Sequence, residues 1–461
     1  MHKETYPLLV ETNLNVGNQN IHENECKSWS ASDVDTKEEY NSKTLETKGL
    51  VKTPEKVTNA AAIMHLFKIS IGTGILSLPA AFKDAGTIAG PLGIILVAIL
   101  TTHCMQLLIH SSRFICRKFH CQYLSYSELA ELCCKPFLWD KSKSAKNIVD
   151  VFLIINQLGT CSIYIIYVAK TVVELSASKM IIDARLIILI LTPLTILISF
   201  VRSLGKLAYI STMANMFCVF GLLMILQFLG RNLKNPGIYP TFVGFGSLPT
   251  FFNIALFGFN GIAIVLPLYN KVKHPEDFPT VMNISTVFVA GLSILIGFFG
   301  YTAFGNNIHG SVTLNLPDNW FYNIIKCTYA VGTFFTIFIK IYVMMEIMLP
   351  FLLSKFDEKK VNKLDYLLRA VLVVITCLFA IAVPQIENFI SLVGAISESI
   401  IGIIIPAIIH SLTFHNDGLS KLALGKNLFL ILIGIAFLVI GTYSSIIAIV
   451  IGFRSSNNTY I

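Results

Sequence analysis

Eleven apolar runs, each near the roughly 20 residues that a bilayer-crossing helix needs, follow one another between Ala60 and Phe453 and leave no room for a soluble domain between them. Inside hydrocarbon a backbone must satisfy its own hydrogen bonds, so such a chain folds as packed helices. With 54% hydrophobic and 13% charged residues, it carries more apolar surface than a soluble chain of 461 residues can bury. The sequence therefore predicts an all-α polytopic membrane protein of eleven transmembrane helices. The shortest run, Leu186–Val201, needs flanking residues to span.

Two of these runs are interrupted in the same way. One reads Ile71-Gly72-Thr73-Gly74-Ile75-Leu76-Ser77-Leu78-Pro79, the other Phe257-Gly258-Phe259-Asn260-Gly261-Ile262-Ala263-Ile264-Val265-Leu266-Pro267. Glycine weakens a helix and proline removes a backbone donor. In a bilayer, freed backbone groups persist only where they line a cavity or are buried in protein. Spans one to five and six to ten read as two repeats. Five is odd, so the second repeat enters from the opposite face, and the breaks fall at position one of each. That is a LeuT-type 5+5 inverted repeat plus one helix, with the substrate site expected where the two breaks meet. The competing reading is that these glycines serve close helix packing.

The ends differ in kind. Residues 1–56 are polar and acidic, a composition that predicts a disordered tail, and they lack the pattern of a cleavable leader. The transporter domain is expected over 57–453, with a short tail at 454–461. Loop Lys and Arg number eighteen on one side and six on the other, which places the N-terminus and the basic loops in the cytoplasm and the last tail outside or in a lumen. The net charge of +8 records that asymmetry; no basic stripe interleaved with aromatics points to nucleic acid. Ten scattered cysteines form no Cys-x-x-Cys pair and no metal set, so neither cofactor nor metal is expected. The loop Lys118–Lys146 contains Tyr126-Ser127-Glu128-Leu129-Ala130-Glu131-Leu132, read as a short amphipathic surface helix, and the loop Gly305–Trp320 is placed to cap a vestibule. Glu4-Thr5-Tyr6-Pro7-Leu8-Leu9 fits acidic-dileucine and tyrosine-based sorting patterns, so sorting adaptors are candidate partners of the tail.

Several stretches, in order and spacing, carry a resemblance. They include Met64-His65-Leu66-Phe67-Lys68, Val149-Asp150-Val151-Phe152, Gln157-Leu158-Gly159, Leu266-Pro267-Leu268, Phe304-Gly305-Asn306-Asn307-Ile308-His309-Gly310-Ser311, Ile390-Ser391-Leu392-Val393-Gly394 and Val439-Ile440-Gly441-Thr442-Tyr443. From about Val57 to Phe453 the chain resembles the proton-assisted amino acid transporter family of the amino acid/auxin permease group. The resemblance implies transport of small neutral amino acids with protons, at the plasma membrane or at lysosomes.

A zwitterionic substrate then suits the breaks. Its carboxylate needs N–H donors, offered around Ile71, Gly72, Thr73 and Gly74. Its ammonium needs acceptors, offered by carbonyls around Phe257, Gly258 and Asn260, with Gly261 closing the same break, while Phe257 and Phe259 shape the side-chain pocket. His65 is the group in span one whose charge changes near neutral pH, and the resemblance implies a role in proton coupling. Lys68 either snorkels to the cytoplasm or repels the His65 proton. Many family members carry a glutamate at the position of Asn260 and another at that of Tyr269, so a titrating group is missing here. A family disulfide is absent too, with Asn319 at one partner position and no cysteine in Ser176–Arg185. Glu398 in span ten is a candidate to take over the lost titration. Lys340 in span eight either stands where sodium-coupled relatives bind their cation or forms an interhelical ion pair.

The expected function is a secondary active transporter of small neutral amino acids, proton-coupled and working by alternating access. The alternative is an amino-acid-sensing receptor that signals with little flux. No nucleophile–base pair or metal motif points to an enzyme.

Overall fold

Glycine, not bulk hydrophobicity, decides how closely these helices approach, because apolar side chains gain little from leaving an apolar solvent. The computed structural model describes residues 57–458 apart from positions 71, 122, 139–140, 177–182, 202–203, 354–357, 384 and 417. The expected tail 1–56 and Ile71 lie outside the described residues. The described chain is 85% helical, with no strand among the described residues.

The helices are α1 (Asn59–Ser70), α2 (Thr73–Ala85), α3 (Ala89–Lys118), α4 (Tyr126–Leu138), α5 (Ser142–Ser176), α6 (Ala184–Ser199), α7 (Leu204–Arg231), α8 (Leu248–Gly258), α9 (Ile262–Tyr269), α10 (Phe278–Phe304), α11 (Trp320–Leu353), α12 (Glu358–Ala382), α13 (Ile386–Val393), α14 (Ile405–Thr413) and α15 (Lys421–Asn458). Among the described residues, eight helical segments are long and apolar enough to cross a membrane, the pairs α8–α9 and α13–α14 each counting as one. The run expected at Leu186–Val201 is α6, and α15 continues past Phe453 to Asn458.

Two local caps set the starts of α4 and α6. Ser125 and Glu128 form a reciprocal capping box at the start of α4, with Ser125 N–H donating to Glu128 Oε2 (2.9 Å) and Glu128 N–H to Ser125 Oγ (3.3 Å). The helix begins there and runs further than the expected stretch, to Leu138, and its Tyr126, Leu129, Ala130, Leu132 and Cys133 are buried in a core cluster rather than lying on the surface. Asp183 caps α6, its side chain accepting from Arg185 N–H at 3.1 Å.

The half-helix α2 is held by glycines. A Cβ placed on Gly90 of α3 or on Gly297 of α10 would lie 2.6 and 2.4 Å from the Phe82 ring, so that ring sits between two bare backbones. Gly300 receives Pro79 and Gly93 receives Phe251 in the same manner. Polar pairs add to this contact, with Thr102 bonded to Thr286 (2.8 Å) and Gln106 to Asn283 (2.8 Å) between α3 and α10.

Between α13 and α14 the chain forms a π-helix, Gly394–Ile404, in which the Ile405 N–H bonds back five residues to the Ile400 carbonyl. The next donor in that ladder belongs to residue 406, which is proline and has none. The Ile401 carbonyl it would have reached accepts instead from Tyr126 Oη of α4, at 2.6 Å. Helix α4 thus completes the hydrogen bonding of the wide turn.

Two substitutions test these contacts by thermal unfolding of the detergent-purified protein. Tyr126→Phe leaves the Ile401 carbonyl without its donor and is expected to cost about 1–3 kcal/mol. Gly394→Ala places a Cβ 2.1 Å from the Asn253 carbonyl and is expected to lower the melting temperature through a similar overpacking penalty of about 1–3 kcal/mol.

Candidate functional site

The two expected breaks face each other. In the first, Gly72 is extended (φ −135°, ψ −164°) and gives α2 no side-chain cap, which leaves the first N–H groups of α2 aimed at the break. In the second, Phe259, Asn260 and Gly261 leave the helical path between α8 and α9. The expected limits shift slightly: Thr73 and Gly74 already belong to α2, and Gly258 closes α8. A Cβ on Gly74 would lie 3.1 Å from both Gly258 Cα and the Phe257 ring, so the missing side chain of Gly74 is what lets the half-helices touch.

Between them is a cavity of about 20 Å³, lined by Gly72, Thr73, Gly74, Phe257, Gly258 and Asn260 together with Ser70, Thr160, Tyr164 and Lys340. Six of the expected residues therefore meet at one place. Phe259 and Gly261 do not line it. Phe259 is 5% exposed and belongs to the main core, and Gly261 sits against Met105, because the chain turns away from the cavity once it leaves the last turn of α8. The Phe257 carbonyl already accepts the Asn260 N–H at 3.3 Å, so it is less free for a ligand than expected.

A vestibule of about 980 Å³ reaches this point. Gly72, Tyr164 and Lys340 line both spaces. His65 of α1 lines the vestibule, as do Tyr329, Thr333, Thr336 and Lys340 of α11. Its far end is bordered by Glu128, Glu131, Lys143, Lys146 and Phe351, so it opens where α4, the start of α5 and the end of α11 come together. The side chain of Lys68 lies outside the described residues.

The loop Gly305–Trp320, expected as an outer loop that caps a vestibule, does not lie at this mouth. It seals the opposite end. Lys326, 1% exposed at the start of α11, pairs with Glu174 at the end of α5 and donates to the Leu316 carbonyl (2.9 Å). Lys83 Nζ reaches the Asn306 carbonyl (3.1 Å), and Ser247 Oγ the Asp84 carbonyl (2.6 Å). Loop and helix ends on that side are tied by hydrogen bonds, while the other side is open.

Glu398 lies within the π-helix, 4% exposed, and lines neither space. Sequence reasoning missed its partner, Asn156 of α5. Asn156 is 0% exposed; its Nδ2 donates to Glu398 Oε1 at 3.0 Å and its Oδ1 accepts from Asn260 Nδ2 at 3.1 Å. Asn156, Thr160 and Tyr164 recur every four residues along an apolar run, and this polar stripe is the signal that marks the face of α5 turned to the site. Tyr329, whose Oη donates to the Gly72 carbonyl (3.3 Å), begins a similar stripe on α11.

Comparison with known proteins places this architecture. Residues 55–447 match the family described as transmembrane amino acid transporter protein. The chain belongs to that family. The Drosophila melanogaster protein named proton-coupled amino acid transporter-like protein pathetic is 31% identical over 420 residues, 88% of each chain. The Arabidopsis thaliana amino acid transporter AVT3C is 26% identical over 422 residues, 86% of this chain and 92% of its own. A Na⁺-coupled sialic acid symporter, solved substrate-bound and outward-open, shares the fold at a TM-score of 0.53 and 14% identity, over 86% of this chain and 89% of its own. Membership of the transmembrane amino acid transporter family makes this multi-pass protein an amino acid transporter rather than an enzyme.

The contact between the half-helices predicts a sharp steric result. Gly74→Val adds a branched side chain where a single Cβ already has 3.1 Å, whereas a Cβ on Gly258 meets nothing within 4 Å. Amino acid uptake by Gly74→Val is expected to fall at least about tenfold, the factor that corresponds to ~1.4 kcal/mol. Gly258→Ala is expected to insert and elute from a sizing column as wild type does.

Proposed function

We propose that the chain is a proton-coupled symporter of small neutral amino acids that works by alternating access around the facing breaks. The observation that carries this reading is the pairing of the 20 Å³ cavity at Gly74 and Gly258 with a vestibule open at one end and tied shut at the other. Donors at the start of α2 suit a carboxylate, and Asn260 with the carbonyl end of α8 suits an ammonium. The close approach of Gly74 to Gly258 favours a substrate with a small, neutral side chain.

In this reading the eight long segments, the broken pair α1–α2, α6 and α7 make eleven crossings in a 5+5 inverted repeat plus one. Basic residues border the open end of the vestibule, so that end faces the cytoplasm by the positive-inside rule and the N-terminal tail lies there as well. The tail's sorting patterns favour a lysosomal or endosomal membrane, with the plasma membrane as the other destination. His65, in the vestibule wall, takes up the proton, and Glu398 holds it behind Asn260.

Uptake of radiolabelled L-alanine into proteoliposomes tests this. An inward proton gradient is expected to raise the initial rate, and a protonophore to abolish the increase. His65→Ala is expected to transport without responding to the gradient. Binding of L-alanine with no flux under any gradient would instead mark an amino-acid-sensing receptor.

A further inference from the structure

Lys340 lies well inside α11 and is the one charged side chain among the described residues that line the small cavity. It lines the vestibule too, so it stands where the two spaces meet. Among the described residues no hydrogen bond and no ion pair holds its Nζ, and Glu398 acts on it only through its field. Ser70, at the carbonyl end of α1, lines the same cavity without receiving a bond from it. An ammonium with three unspent donors inside a membrane protein needs water or a ligand beside it.

The same cavity receives the start of α2, whose positive dipole end and first N–H groups lie at the break. Thr73 opens that helix. It is 0% exposed, it lines the cavity, and its Oγ1 has no hydrogen-bond partner among the described residues. No Asp or Glu stands among the described lining residues. At about 20 Å³ the space admits one water-sized group, so one end of a substrate enters while the rest remains at the vestibule. Donors and positive charge in the wall select the anionic end.

We propose that Lys340 is a specificity-determining residue whose ammonium pairs with the substrate carboxylate where the vestibule meets the cavity. The inference rests on the amino acid site proposed above and adds the charge that reads the substrate's anionic end. One carboxylate oxygen takes the α2 N–H groups and the Thr73 hydroxyl, and the other takes the Lys340 ammonium in a charge-assisted bond. The substrate ammonium stays at the rim, where Asn260 is partly exposed, away from the like charge of the lysine. A lysine suits this place because it is a point charge on a flexible stem, able to follow the carboxylate from the vestibule into the cavity.

Equilibrium binding of radiolabelled L-alanine to the purified full-length protein, with unlabelled L-alaninamide as competitor, tests the pairing. Lys340→Gln is expected to bind L-alanine at least about tenfold more weakly than wild type, and a smaller loss overturns the proposal. L-Alaninamide keeps the ammonium and lacks the carboxylate charge. Lys340→Gln is expected to bind it no more weakly than wild type does, because a like charge has gone; a parallel loss of both ligands marks a purely structural lysine and overturns the proposal. A lysine that only balances Glu398 is tested by the double variant Lys340→Gln/Glu398→Gln. That variant is expected to bind L-alanine at least about tenfold more weakly than Glu398→Gln alone, and equal affinity of the two overturns the proposal. Should Lys340→Gln fail to fold, wild type alone decides: L-alaninamide is expected to bind it at least about tenfold more weakly than L-alanine, and equal binding overturns the proposal while leaving the site in place. A wild type that binds neither L-alanine nor glycine, L-serine or L-proline overturns the reading of the site itself.

Discussion

A backbone can leave its helix inside a bilayer only if something other than lipid receives its donors and acceptors. Here two interrupted segments do this against each other and against the two long helices beside them. Tyr329 caps the Gly72 carbonyl, Tyr164 stands over Gly72, and the bare backbones of Gly74 and Gly258 supply the contact between the halves. The rest of the arrangement follows from that need. The half-helix α2 can sit at the centre only because glycines of α3 and α10 leave room for Phe82 and Pro79, and the first half of span six docks on Gly394 and Gly441 around Asn253. In such a protein close packing takes over the role that burial from water has in a soluble core.

The same logic explains the wide turn around Glu398. A π-helix strains its ladder and leaves carbonyls poorly matched. Pro406 makes this worse by removing a donor, and Tyr126 repairs it from α4. A carboxylate in this turn is reached by Asn156 from one side and by the field of Lys340 from another. The polar groups form a chain across three elements, each one tied to the next, in surroundings where an isolated charge would be costly.

Much of this is written in the sequence, and the reasons for the rest are physical. Gly72, Gly74, Gly258 and Asn260 were legible because glycine and polar residues interrupt otherwise apolar runs at matching places. The exact start of α2 was not, since one extended residue at Gly72 is enough to begin a helix at Thr73. Phe259 looked like a pocket residue by position, yet one step beyond a helix end the side chain points elsewhere. Asn156 was hidden because a lone amide in an apolar run means little until its partners are known, although its spacing to Thr160 and Tyr164 was visible. The direction in which the vestibule opens and the sealing of the far end by Lys326 depend on contacts between residues more than 150 positions apart, which no local pattern encodes.

The size of the vestibule has a consequence of its own. At about 980 Å³ it holds roughly thirty water molecules at the density of the liquid, far more than a small amino acid displaces. In an alternating-access cycle most of that water must leave when the mouth shuts and return when it opens. In such a cycle hydration would weigh on the conformational equilibrium alongside substrate. Solutes too large to enter lower the activity of water outside and draw the protein toward its shut form. A cell that concentrates osmolytes on the vestibule side would thereby bias this carrier without touching its binding site.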